Sequence, residues 1–140
     1  MNARYFLDTN VFVYAFDETA PAKARKAAQL IRRAADTGEG IVSYQVVQEF
    51  FHVALRRFSH PMTTGEAEQY MITVFRPLLA IQSSLSLYVE GIRISVKHRL
   101  AWYDSLVVAA ALEGRCGVLY SEDLQDGREI EGLTIRNPFQ

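Results

Sequence analysis

Short apolar runs alternate with longer stretches of helical periodicity along this chain. Tyr5-Phe6-Leu7 is an apolar run that stops at Asp8, which predicts a short strand. Val11 to Phe16 is apolar again and reads as a short helix after a turn. From Thr19 the pattern is helical. Pro21 suits a first turn, Ala22 to Ala35 is rich in alanine and basic residues, and Gly38 with Gly40 stops the helix. Ile41-Val42 predicts a second strand, and Ser43 is placed to cap a helix reaching about Phe58. Within it Val46, Val47, Phe50, Phe51, Ala54, Leu55 and Phe58 return every three or four residues and make one apolar face.

The second half continues the alternation. Thr63-Thr64-Gly65-Glu66 has the spacing of a capping box and opens a helix expected to last until Pro77. Leu79 to Gln82 predicts a third strand, Ser84 to His98 a helix, and Tyr103 or Asp104 starts another helix through Glu113, ended by Gly114. Val118-Leu119-Tyr120 is a fourth strand, Asp126-Gly127 a turn, and Leu133 to Arg136 a last edge strand before Pro138. Strands alternating with helices imply an α/β sandwich around a mainly parallel sheet.

Composition narrows the class. A chain of 140 residues, 49% apolar, reads as one domain with a core of its own, spanning 1–140. The single cysteine, Cys116, cannot form an internal disulfide, which excludes a stapled secreted scaffold. The longest unbroken apolar run, Leu106 to Leu112, is too short to span a bilayer. Asp8, Asn10 and Asp17-Glu18 break up the apolar N-terminal stretch, so no signal peptide is expected and the cytoplasm is the default location. The net charge of −1 gives no pointer to nucleic acid. That balance conceals two asymmetries: the basic residues are mostly arginine, and Glu122 to Glu131 is crowded with acids.

Four acids lie beside residues that must be buried. Asp8 ends the first strand, Glu49 lies in the second turn of the helix after the second strand, Asp104 opens the most apolar helix, and Asp123 follows the fourth strand. In a parallel α/β sheet all strand carboxyl ends point the same way, and ligands bind in the crevice there. The spacing therefore allows all four to converge. Two unit charges ~5 Å apart at an effective dielectric of ~20 repel by roughly 3 kcal/mol. Four acids in one crevice must then either take up protons or hold a divalent cation. Oxygen ligands without histidine or cysteine favour Mg²⁺ or Mn²⁺, and such a cation suits phosphodiester hydrolysis. Each acid also has a plainer reading. Asp8 could form an Asx turn or a helix cap, Asp104 an N-cap, and Asp123 a turn. Glu49, with Gln45, His52 and Arg56, could belong to a solvated helix face.

Thr9, Asn10, Ser43 and Ser121 could hydrogen-bond the carboxylates or their ligands, with capping the alternative for Ser43. His52, His60 and His98 lack ligand spacing and suit a surface or interface. Cys116 reads as a small buried residue. Trp102-Tyr103 suits core packing, with base stacking as the alternative. No phosphate-binding glycine loop is present.

These residues resemble PIN-domain ribonucleases, most closely the VapC-type toxins of prokaryotic toxin–antitoxin pairs. The resemblance runs through FLDTNVFVYAFD, IVSYQVVQEFFHVALRR, WYDSLVVAAALEGRCGVLYSEDLQDG and IEGLTIRNPF, in the family's order. It implies a three-layer α/β/α sandwich with an acidic, Mg²⁺- or Mn²⁺-dependent site that cleaves single-stranded RNA and leaves 5′-phosphate and 3′-hydroxyl ends. Asp8, Glu49, Asp104 and Asp123 would be its catalytic and metal-holding acids, with Thr9 and Asn10 in support. Many relatives carry histidine where this chain has Asp126, and alanine where it has Ser105. The resemblance further implies a homodimer and inhibition by a cognate antitoxin protein covering the acidic groove. Arginines such as Arg56, Arg57 or Arg99 would meet RNA phosphates. Two alternatives stand beside this expectation. One is a non-catalytic module whose acids dock a basic partner. The other is an aspartyl phosphatase of the haloacid dehalogenase type, which needs a second Asp where Asn10 stands.

Overall fold

A computed structural model describes residues 4–140. Its elements are β1 (Tyr5–Leu7), α1 (Thr9–Tyr14), α2 (Pro21–Thr37), β2 (Gly40–Ser43), α3 (Tyr44–Ala54) and α4 (Thr64–Tyr70). A π-helical segment (Met71–Phe75) leads into α5 (Arg76–Leu78), followed by β3 (Leu79–Ile81), α6 (Leu85–His98), α7 (Trp102–Glu113), β4 (Val118–Tyr120), β5 (Glu129–Ile130) and β6 (Leu133–Arg136). The sheet order is β3-β2-β1-β4-β6-β5, parallel except for β5. The chain steps from β1 outward to β2 and β3, then crosses back to β4 on the other side of β1. Right-handed crossovers in opposite directions put α1–α5 on one face and α6–α7 on the other. The result is an α/β/α sandwich, and the order reverses beside β1, where such sheets open a crevice at their carboxyl ends.

Burial follows that layout. Phe6 and Leu7 of β1 and Leu119 of β4 are fully buried, as central parallel strands covered on both faces require. Helix α7 is buried from Ser105 to Ala111 because α6 lies over it and the sheet lies beneath. Gly91 allows that close fit: a methyl group there would come within 2.8 Å of Leu106. Among the described residues no helix is long and apolar enough to cross a membrane.

Several boundaries differ from the sequence pattern, each for a local reason. Leu133–Arg136 is not an edge strand. Glu131 and Gly132, at φ 52° and 91°, turn the chain so that β5 pairs antiparallel outside it. Helix α3 ends at Ala54, where the N–H groups of Arg57 and Phe58 both bond back to Val53 O; Phe58 still packs 5.2 Å from Phe16. Pro77 does not stop its helix, because the π-helical segment restarts the ladder and leaves it in a first turn, where no N–H is needed. Gly114 is present for space: its own backbone is right-handed, Arg115 takes the left-handed position, and a methyl group at Gly114 would strike Ile41 Cδ1. Ser43 occupies the N-cap position of α3 but makes no capping bond.

Candidate active site

Asp8 stands where β1 gives way to α1. It serves as N-cap, its Oδ1 accepting the Thr9 N–H at 2.8 Å, so the plainer helix-cap reading is also realised. Its Oδ2 accepts the Ser121 hydroxyl at 2.7 Å, from the end of the neighbouring strand β4. Both side chains are buried. Burial raises the Asp8 carboxyl from 3.8 to about 6; the bonds from Ser121 and Thr9 pull it down, and the charges of Asp123 and Glu49 push it up again.

The other three acids come from three different elements. Glu49 lies half-buried on α3, where Oε1 accepts the Thr9 hydroxyl at 2.8 Å. Its Oε2 is approached by the Gln45 amide at 3.5 Å, and the same amide nitrogen donates to the Tyr103 carbonyl at 3.3 Å. Gln45 is buried, so it does not belong to a solvated face, whereas His52 and Arg56 are exposed as that reading supposed. Asp104 is not an N-cap. Ala101 holds that position, and Asp104 sits in the first turn of α7, its carboxyl raised by burial and by the charges of Asp123 and Glu49. Asp123 is exposed in the loop after β4, its N–H bonded to Ser121 Oγ at 3.1 Å. Asp8 and Asp104 thus both feel Glu49 and Asp123, which brings the four acids into one electrostatic cluster at the crevice.

No basic side chain offsets this cluster: among the described residues, no ion pair includes any of the four. The donor set is all oxygen, the chemistry of Mg²⁺ or Mn²⁺. Among the described residues no three His, Cys, Asp or Glu side chains stand close enough to share one ion. The arrangement therefore fits a hydrated ion held through one or two carboxylates rather than a closed cage, and Mg²⁺ is commonly bound that way. Two orphaned polar groups lie at the same sheet edge. The Asn10 amide and the Ser43 hydroxyl, after β1 and at the end of β2, are buried without hydrogen-bond partners. Each such group costs about 1–3 kcal/mol unless water or a ligand meets it.

The remaining candidates fall outside this crevice. A cavity of about 320 Å³ lies between Phe16, Val53, Arg57 and Phe58, and none of the four acids lines it. Asp126 caps the Asn137 N–H at 2.8 Å, a structural role. Ser105 bonds the Ala101 carbonyl at 2.9 Å within its own helix turn. His98 meets Glu131 at 2.8 Å. Cys116 is buried, which raises its thiol to about 11 and leaves it inert. Trp102 and Tyr103 are not core residues: both are exposed, Tyr103 by 65%. Sequence reasoning missed Gln45 as a partner of Glu49; its place one helical turn earlier was the available signal.

The family model of the PIN domain matches residues 5–126. The chain belongs to the PIN-domain family. PIN domains are nucleases, so phosphodiester hydrolysis is the class of reaction that this crevice serves. No curated protein matches the chain in sequence. Among solved structures, this PIN domain is similar to a toxin–antitoxin complex from Klebsiella pneumoniae, with a TM-score of 0.66, 16% identity, and 96% and 97% of the two chains covered. It is also similar to VapBC2 from Rickettsia felis bound to a DNA fragment from their promoter, with a TM-score of 0.59, 16% identity, and 94% and 96% covered. At such identities the likeness establishes the PIN fold. Family membership leaves the phosphatase alternative without support, in keeping with Asn10 in place of an acid.

Proposed function

We propose that this PIN-domain protein is a Mg²⁺-dependent endoribonuclease, served also by Mn²⁺, and the VapC-type toxin of a type II toxin–antitoxin pair. The observation that carries the reading is Asp8, a buried carboxyl raised to about 6 and ringed by three further acids with no basic partner. Such a cluster is costly in an empty crevice and useful when a cation enters it.

Asp8, Glu49, Asp104 and Asp123 would hold the ion or ions, directly or through water. When bound, the ion supplies the charge that makes water a nucleophile near neutral pH and offsets charge at the leaving ribose oxygen. The chain's own contribution is orientation. Ser121 and the Thr9 N–H fix the two oxygens of Asp8, while the Thr9 hydroxyl and the Gln45 amide fix those of Glu49. Arg56 and Arg57 after α3 and Arg99 after α6 are exposed and supply planar forks for RNA phosphates. In the cytoplasm the active form would be a homodimer, and a cognate antitoxin would inhibit it by covering the acidic crevice. The names of the two similar structures favour that pairing.

The test is cleavage of single-stranded RNA with Mg²⁺, with EDTA, and with Asp8→Asn. Cleavage that needs the metal and is lost in the variant is the expected result. Cleavage that survives both overturns the metal mechanism. Metal-independent binding of a basic partner, without cleavage in inhibitor-free protein, favours the binding-module alternative.

A further inference from the structure

Helix α6 has two apolar faces, and the chain uses only one. Leu87, Gly91 and Ile94 face inward and are buried against α7. On the outer side Leu85, Val89, Ile92 and Val96 form an exposed row, with Leu85 and Val96 exposed by 82% and 77%. Tyr88 borders the row, and the Trp102 ring stacks on it at 6.5 Å, carrying the patch onto α7. A surface helix of a monomer places polar residues on its outer face, and contiguous apolar patches beyond a few hundred Å² mark interaction sites.

The spacing of the row indicates its occupant. Positions 85, 89, 92 and 96 step by four, three and four residues, the seam of a helix that packs against another helix. The steps read the same from either end. A two-fold axis between Glu90 and Gly91 therefore sets Leu85 of one copy against Val96 of the other, and Val89 against Ile92, as an isologous contact requires. Charge chooses the direction. A parallel pair would bring together two basic ends carrying Lys97 and Arg99; an antiparallel pair lays each beside the uncharged segment Gln82 to Ser86.

We propose that the outer face of α6 is the surface through which two copies of this chain pair, with their α6 helices antiparallel about an axis between Glu90 and Gly91. The homodimer rests on the reading given above; the face and the direction are added here. The contact borders the acidic crevice, because Trp102 and Tyr103 lead directly into Asp104, and the Tyr103 carbonyl holds the Gln45 amide that reaches Glu49.

The test is mass in solution by sedimentation or light scattering, followed by directed cross-linking. Native protein should run near twice 15.9 kDa, and Val89→Glu and Ile92→Glu should each run at the monomer mass with unchanged circular dichroism. Both positions are exposed, so the variants should fold. A mixture of Val89→Cys and Ile92→Cys proteins should form an inter-chain disulfide that neither forms alone; the native Cys116 is buried and does not compete. A monomeric native chain, or glutamate variants that stay dimeric, overturns the surface and leaves it to another occupant such as an antitoxin. Cross-linking of Val89→Cys with itself overturns the antiparallel direction. Mass does not depend on cleavage, so an inactive dimer counts against the nuclease reading alone, and an active monomer against this surface alone.

Discussion

Ser121 donates its hydroxyl to Asp8 Oδ2 at 2.7 Å, across 113 positions of chain and wholly inside the protein. The bond exists because β1 and β4 are parallel neighbours, with Leu7 opposite Tyr120, so the residues that follow each strand meet at one edge. It fixes one oxygen of an acid that burial would otherwise leave unpartnered. Burial still outweighs it, and the carboxyl ends at about 6 rather than 3.8.

That shift sets a pH dependence. Between 3.8 and about 6 the folded state binds more protons at Asp8 than the unfolded state does, so stability falls as pH rises through this window and is flat above it. The total is about 3 kcal/mol at most. In EDTA, urea titrations should show Asp8→Asn closing part of this gap, with the variant more stable than native protein at pH 7 and inactive on RNA. Saturating Mg²⁺ should stabilise native protein at pH 7 and leave the variant nearly unaffected. Equal responses of the two proteins to pH and Mg²⁺ would remove Asp8 from the cation site.

Thr9 bridges two acids, its N–H on Asp8 and its hydroxyl on Glu49. Thr9→Val keeps the shape and the N–H but drops the hydroxyl bond. Cleavage should fall about 10- to 100-fold, the usual loss on removing a partner of a metal-holding group. Thr9→Ser should recover most of it, and the melting temperature of Thr9→Val should stay near that of native protein. A Thr9→Ser protein as slow as Thr9→Val would show that the hydroxyl is not what matters.

Glu131 clamps the β5–β6 turn onto α6, taking two bonds from Arg93 at 2.9 and 3.0 Å and one contact from His98 at 2.8 Å. These partners hold its carboxyl down at about 2. A depressed value stabilises the fold above the ordinary glutamate range, and the gain is lost as pH falls from 4.5 towards 2. Glu131→Gln should lower stability at pH 7 by roughly 1 kcal/mol or less, since the pairs are solvent-exposed. The deficit should shrink with acidification and with added salt. A deficit constant with pH would assign the effect to the strained turn instead.

Gly114 and Ile41 touch across the layer between α7 and β2. Gly114→Ala overpacks that contact and should cost about 1–3 kcal/mol. Ile41→Val removes the methyl group in the way, so the double variant should be more stable than the sum of the two single changes predicts. Strict additivity in thermal melts would show that the contact is not the cause.

Periodicity and spacing sufficed for most of the architecture. The β1 run at Tyr5–Leu7, the capping box at Thr63, and strands β3 and β4 were legible because strand length, proline, glycine and capping chemistry act within a few residues. Strand β5 was not, since two residues carry no period and Glu131 is an unusual occupant of a left-handed turn position. The four acids were legible as candidates because strand ends in a parallel sheet share one edge. What only the tertiary structure decided was their environment. Burial of Asp8 depends on the layers folded over it, Gln45 turned inward because α7 lies across it, and Ala101 rather than Asp104 took the cap. Neighbours along the chain determine local conformation. The charge state of an acid depends on what packs around it from far away in sequence, and a linear pattern does not contain those distances.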